Sequence, residues 1–153
     1  MAGFVVDASV VVEFLAPGRF GAASDRVMST LAWPTPLELF APDILLLEVA
    51  NALRGLTMAK ALSNTAADRA VVRLPQLAIA LVASGSLLEA AWSLRQQMTV
   101  YDGAYASLAK ALDRPLVSAD ARLVRACAGA GIDAFRVDQK ELTRLLNSLE
   151  ATD

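Results

Sequence analysis

The chain has 153 residues, of which 56% are hydrophobic, and its formal net charge is −2. This length predicts one domain, residues 1–153, with a substantial hydrophobic core. The small negative charge gives no global basic field of the kind that attracts polyanions. The single cysteine, Cys127, excludes an internal disulfide.

Short apolar segments alternate with segments of helical periodicity along the chain. In chain order we predict strand 3–6, helices 8–15 and 21–31, strand 39–41, helices 44–56 and 64–74, strand 77–82, helices 84–97 and 101–112, strand 116–118, a helix ending at 128, strand 134–137 and helix 140–149. Asp43 and Asp120 are the predicted N-caps of the helices that follow them. Strand 77–82 is expected to be buried.

The chain shows no sign of membrane insertion or export. Asp7 and Glu13 interrupt the apolar N-terminus, which makes it a poor signal peptide. The longest uncharged apolar stretch, 74–88, is too short to span a bilayer and contains Pro75. We therefore expect a cytoplasmic protein without a membrane partner.

The absence of histidine restricts the possible chemistry. Ser–His–Asp and Cys–His catalysis are excluded, as are histidine-ligated zinc and copper sites. One cysteine is also too few for a thiolate metal cluster. The remaining means of catalysis are carboxylates, hydroxyls and a hard cation that prefers oxygen ligands.

Strands that are apolar throughout and alternate with helices indicate an α/β fold with a mostly parallel sheet, covered by helices on both faces. In such sheets the functional crevice lies outside the carboxyl ends of the strands. Four acids are expected at that edge: Asp7 at the end of strand 3–6, Glu48 in the second turn of helix 44–56, Asp102 at the start of helix 101–112, and Asp120 after strand 116–118.

Each of these acids also has a purely structural interpretation. Asp7 and Asp120 could be helix N-caps, and Asp102 suits the positive end of a helix dipole. Glu48 is harder to explain, because an acid within the apolar segment DILLLEVANALR is costly unless it faces solvent. The expected meeting of four acids at one edge favours a functional site.

Four segments, in order and spacing, resemble the PIN-domain ribonucleases, specifically the VapC toxins of bacterial toxin–antitoxin pairs. They are FVVDASVVVEFL, LLLEVANALR, TVYDGAYASLAKALDRPLVSADARL and GIDAFRV, and the resemblance extends over residues 3–137. It implies a Rossmann-like, three-layer PIN domain with about five short strands. It also implies endonuclease activity on RNA that depends on Mg²⁺ or Mn²⁺, in which a metal-activated water leaves 5′-phosphate and 3′-hydroxyl ends.

The resemblance also assigns roles to residues and partners. Matched to the family motifs, Asp7, Glu48, Asp102 and Asp120 are the catalytic acids and metal ligands. Ser9 and Ser118 match accessory hydroxyl positions, although the family often has threonine where Ser118 stands. A VapB-like antitoxin is the implied partner, and a homodimer within the toxin–antitoxin complex is expected.

Further candidates for binding come from the residues themselves. Asn51, one helical turn after Glu48, could orient that acid. Basic residues that could contact RNA phosphates, or simply be solvated, are Arg54, Lys60, Arg69, Arg73, Lys110, Arg114, Arg122 and Arg125. Trp33, Tyr101 and Tyr105 could stack on bases, but packing in the core or at a dimer interface is the favoured interpretation.

Other classes of protein fit the sequence less well. A phosphatase of the haloacid dehalogenase type needs a second acid two residues after the first, where this chain has Ser9. A response-regulator receiver needs an adjacent acidic pair after the first strand and a lysine after its last strand, and neither is apparent. A PIN fold that binds protein without catalysis remains an alternative, which metal-dependent RNA cleavage would exclude.

Overall fold

The computed structural model describes residues 3–151. Within this range, five strands form one sheet in the order β3-β2-β1-β4-β5, and all neighbouring strands are parallel. The strands are β1 (Gly3–Val6), β2 (Glu38–Pro42), β3 (Ile79–Val82), β4 (Leu116–Ser118) and β5 (Ala134–Arg136). The predicted α/β fold with a sheet of five short strands is confirmed.

Eight α-helices flank the sheet within the described range. They are α1 (Ala8–Leu15), α2 (Gly21–Met28), α3 (Leu45–Met58), α4 (Asn64–Arg73), α5 (Leu88–Ser93), α6 (Val100–Leu112), α7 (Ala121–Gly129) and α8 (Lys140–Glu150). Short 3₁₀ turns occupy Ser29–Ala32, Leu74–Gln76 and Ser84–Leu87. None of the helices between residues 3 and 151 is long and apolar enough to cross a bilayer.

The centre of the core lies between β1 and α6. All four residues of β1 are buried, because this strand is in the middle of the sheet. On α6, seven consecutive residues from Gly103 to Ala109 are buried, most of them small. A Cβ added at Gly103 would lie 2.9 Å from the carbonyl oxygen of Ala91 on α5, so glycine permits close contact between these helices. This packing fixes α6, and with it the first turn that carries Asp102.

Three predicted elements differ from the structure. Strand 77–82 was expected to be buried, but β3 is an edge strand whose Leu81 is 42% exposed. The predicted helix 84–97 is a 3₁₀ turn, then α5, then a turn in which Leu94 and Arg95 donate backbone bonds to residues three positions earlier. Apolar spacing of three or four residues fits α-helix and 3₁₀ turns alike, so the pattern did not separate them. Similarly, the predicted helix 21–31 changes to a 3₁₀ turn at Ser29.

Asp43 does not cap α3 as predicted. Ile44 occupies the N-cap position and makes no side-chain cap bond. The Asp43 carboxylate instead accepts hydrogen bonds from the backbone N–H of Ser84, at 3.0 Å, and from the Ser84 hydroxyl. These bonds lower the pKa of Asp43 and join the loops that follow β2 and β3. The sequence could not show this contact, because the two residues become neighbours only when the strands pair.

Candidate active site

The four predicted acids line one open crevice of about 470 Å³ at the carboxyl edge of the sheet. Its walls also include Ser9, Glu13 and Phe20. The acids come from four separate segments: Asp7 follows β1, Asp120 follows β4, and Glu48 and Asp102 are carried by α3 and α6. The expected meeting of these side chains at one edge is therefore what the fold produces.

All four acids lie at the N-terminal ends of helices. Asp7 is the N-cap of α1 and accepts a bond from the backbone N–H of Ser9, and Asp120 caps α7 by accepting one from Arg122. Glu48 and Asp102 lie in the first turns of α3 and α6, so Glu48 is nearer the start of its helix than predicted. The positive end of each helix dipole partly compensates the negative charge collected in the crevice. The capping roles of Asp7 and Asp120 are confirmed, and the functional role of the four acids stays a prediction that these positions allow.

Two serine hydroxyls hold the buried carboxylate of Asp7. Ser9 Oγ donates to Asp7 Oδ2 at 2.5 Å, and Ser118 Oγ donates to the same oxygen at 2.8 Å. The serines also accept backbone bonds, Ser9 from Ala119 at 2.9 Å and Ser118 from Asp120 at 3.0 Å. The predicted accessory hydroxyls thus join the loops that follow β1 and β4 and fix the orientation of Asp7.

Glu48 is held by a residue that the sequence analysis did not assign to the site. The hydroxyl of Tyr105, a fully buried residue of α6, donates to Glu48 Oε1 at 2.8 Å. Asn51, the predicted partner of Glu48, is exposed and is not among the residues that line the crevice. One signal could have found Tyr105: it lies three residues after Asp102, so the two share a helix face.

A fifth acid, Glu13, lines the crevice but already has partners. Its carboxylate accepts bonds from the backbone N–H groups of Gly18 and Phe20, at 2.9 Å and 3.1 Å. Glu13 therefore holds the loop between α1 and α2. Its spacing of four residues from Ser9 on α1 was the available signal that it faces the same crevice.

Burial is the main influence on the pKa of three acids of the crevice. It raises the pKa of Asp7, of Glu48 and of Asp102 above their ordinary values. The charge of Asp7 raises the pKa of the other two further, whereas the serine hydroxyls oppose the rise at Asp7. Burial, followed by the charge of Glu48, also raises the pKa of Tyr105, so its hydroxyl remains a neutral donor.

The donor set suits a hard cation better than any other metal. No group of three histidine, cysteine, aspartate or glutamate residues within 3–151 is already arranged to hold a metal ion. Mg²⁺ does not need such a cage, because it commonly keeps several waters and binds through one or two carboxylates. Four carboxylates around one open crevice offer such pairs. The charge of Asp7, which adds to the effect of burial in raising the pKa of Glu48 and of Asp102, would be compensated by a cation.

Of the basic residues considered as phosphate ligands, Arg122 lies beside the acids. Its guanidinium is 3.9 Å from Asp120 Oδ2, and with Asp102 it lines a second cavity of about 180 Å³. Arg54, in contrast, lines a separate cavity between α3 and α4 with Asp68. Arg73 stacks on Phe14, with 4.7 Å from the guanidinium carbon to the ring centre. Neither Arg54 nor Arg73 is therefore among the residues that line the acidic crevice.

The sequence that forms this parallel sheet and its acidic crevice is similar to that of a known protein family. A family model described as PIN domain matches residues 4–129. Ribonuclease VapC1 of Mycobacterium tuberculosis is 39% identical over 123 residues, which is 80% of this chain and 89% of the relative. Ribonuclease VapC3 of the same organism is 34% identical over 122 residues, 80% of this chain and 85% of the relative. The chain belongs to the VapC-type PIN-domain family.

A solved structure agrees on the fold. The crystal structure of PAE2754 from Pyrobaculum aerophilum matches with a TM-score of 0.64 at 22% identity, and the match covers 98% of both chains. At this identity the similarity supports the arrangement of strands and helices alone.

Proposed function

We propose that this chain, as one domain spanning residues 1–153, is an endoribonuclease that depends on Mg²⁺ or Mn²⁺ and acts as the toxin of a toxin–antitoxin pair. One observation carries the proposal: Asp7, Glu48, Asp102 and Asp120 line a single crevice. Two relatives that each match 80% of this chain carry the name ribonuclease, which supports the choice of RNA as substrate.

The residues of the crevice have separable tasks in this proposal. A cation bound by the four carboxylates would supply an activated water and neutralise charge on the phosphate. Ser9 and Ser118 hold Asp7 in a fixed orientation and favour its ionised form against the effect of burial. Because the chain has no histidine, a carboxylate is the group available to accept the proton of the attacking water.

Metal removal and replacement test this function directly. The purified chain is incubated with 3′-labelled RNA in EDTA, and Mg²⁺ or Mn²⁺ is then added in excess. We expect cleavage only after the metal is added, with products that carry 5′-phosphate ends. Full cleavage in EDTA would contradict the mechanism, and no cleavage with either metal would favour a PIN fold that serves only protein binding.

We also infer that a VapB-like antitoxin covers the crevice, with a basic side chain, such as arginine, reaching one of the four acids. Apolar contacts to the flanking helices would support it. Among the leucines at the start of α3, Leu45 is buried in the core, whereas Leu47 is 73% exposed. Leu47 is therefore the residue that such a partner could cover. A homodimer within the complex stays part of the proposal.

A further inference from the structure

We propose that Tyr105 is a positioning residue for Glu48, whose carboxylate it holds toward the crevice in the orientation that binds the metal. The inference rests on the proposed function, because it assigns Tyr105 a task in the same metal site. Tyr105 itself lies beneath the crevice and is not among the residues that line it.

The contact joins a rigid donor to a flexible acceptor. Tyr105 is 0% exposed, so packing fixes its ring, and its hydroxyl lies 2.8 Å from Glu48 Oε1. Glutamate has three rotatable side-chain bonds, and Glu48 is only half-buried, so the helix backbone alone does not determine where its carboxylate points. One oxygen is held by Tyr105, and the carboxylate keeps further lone pairs for a cation.

Helix α6 thereby controls two acids of the crevice. It carries Asp102 in its first turn and, three residues later on the same face, the hydroxyl that holds Glu48 of α3. The helix is itself held in place by the close contact of Gly103 with Ala91. The relative placement of Asp102 and Glu48 therefore depends on the hydrogen bond between α6 and α3.

Partners that orient a metal ligand from behind typically contribute about 10-fold to 100-fold to metal affinity or activity. A hydroxyl that only satisfied the polar atoms of the core would affect folding stability and leave the metal affinity of the folded protein unchanged. Metal affinity therefore separates positioning from a merely structural role.

The test is a calorimetric titration with Mn²⁺ alone of the wild type, Tyr105→Phe and Tyr101→Phe. The control removes the hydroxyl of the exposed tyrosine on the same helix. We expect about 10-fold weaker Mn²⁺ binding for Tyr105→Phe and wild-type binding for Tyr101→Phe. RNA cleavage by Tyr105→Phe should be slow at low Mn²⁺ and recover at high Mn²⁺.

A second background tests whether Tyr105 acts through Glu48. In Glu48→Ala, the additional change Tyr105→Phe should leave Mn²⁺ affinity unaltered, because the acceptor is gone. Wild-type affinity in Tyr105→Phe, or an equal loss in both backgrounds, would overturn the inference.

If Tyr105→Phe proves unfolded by thermal melting in EDTA, Glu48→Asp replaces it, since its carboxylate is one methylene too short to reach the hydroxyl. Wild-type Mn²⁺ affinity in Glu48→Asp would then overturn the inference.

The titration also distinguishes failure of the inference from failure of the proposed function. A wild type that binds Mn²⁺ and cleaves RNA, together with an unaffected Tyr105→Phe, rejects the role of Tyr105 alone. A wild type that neither binds Mn²⁺ nor cleaves RNA rejects the metal site, and the role of Tyr105 with it.

Discussion

Asp7 combines two demands that are usually met by different residues. As the N-cap of α1 it satisfies a backbone N–H, and as a buried carboxylate it faces the crevice. The bonds from Ser9 and Ser118 reduce the cost of burying the charge without removing it, since the pKa of Asp7 is still raised. A side chain placed in this way stabilises helix formation and strains the metal-free site at the same time.

We expect Asp7→Asn to abolish RNA cleavage and to raise the melting temperature in EDTA. Asparagine keeps a side-chain oxygen for the cap and the serines, but carries no charge to desolvate. Near neutral pH the rise should be about 2–4 °C, equivalent to about 1 kcal/mol for a domain of this size. Mg²⁺ should then stabilise the variant less than it stabilises the wild type.

The pH dependence of the melting temperature in EDTA shows whether the charge of Asp7 lowers or raises the stability of the metal-free protein. The pKa of Asp7 in the folded state lies above its ordinary value of 3.8, so the folded state binds the proton more tightly than the unfolded state. The contribution of Asp7 to stability in EDTA should therefore be greatest below its ordinary pKa and be lost as the pH rises through the raised pKa. Asp138 and Glu150, whose pKa values are lowered by arginine partners, contribute in the opposite direction. The advantage of Asp7→Asn should grow over the same interval. A variant that melts lower in EDTA and still cleaves RNA would leave Asp7 only its capping role.

The helices and strands explain why much of the site could be predicted. A parallel sheet brings its carboxyl ends to one edge, so acids such as Asp7 and Asp120 that follow central strands must meet there. The features that could not be predicted from the sequence depend on contacts between segments that are distant along the chain. The bond from Tyr105 to Glu48, the bond from Ser84 to Asp43 and the exposure of β3 all follow from which elements become neighbours. Hydrophobic periodicity carries no information about such pairings.

The start of α6 should affect metal binding as well as stability. Thr99 is the N-cap of α6 and accepts a bond from the backbone N–H of Asp102 at 3.1 Å. Thr99→Ala should cost about 1 kcal/mol of unfolding free energy and let the turn that carries Asp102 fray. Urea unfolding and calorimetric titration with Mn²⁺ would measure the two effects, and Mn²⁺ affinity should fall together with stability.

Ser63→Ala is the matched control for that prediction. Ser63 caps α4 through a bond from the backbone N–H of Ala66 at 3.1 Å, away from the crevice. Its loss should lower stability by a similar amount and leave Mn²⁺ affinity unchanged. Equal Mn²⁺ affinities in the two variants would show that the cap of α6 does not position Asp102.

The molecule as a whole carries little net charge, so the acidic crevice is a local feature that a partner must recognise at short range. We expect a VapB-like antitoxin to stop RNA cleavage and Leu47→Glu to weaken its binding. Leu88→Glu provides the comparison, because Leu88 is also exposed but belongs to α5, which supplies none of the residues that line the crevice, whereas Leu47 precedes Glu48 on α3. A partner that binds without affecting cleavage, or that responds equally to both changes, would contradict the proposed mode of inhibition.

The central claim is that four distant acids act as one metal-dependent site for RNA cleavage. Single-turnover cleavage at saturating Mn²⁺ tests it most directly when Asp102→Asn is compared with Asp113→Asn. Asp113 lies at the other end of α6 with φ of 51°, a conformation that asparagine tolerates well. We predict a rate at least about 100-fold lower for Asp102→Asn and a wild-type rate for Asp113→Asn. Equal rates for the two variants would contradict the account.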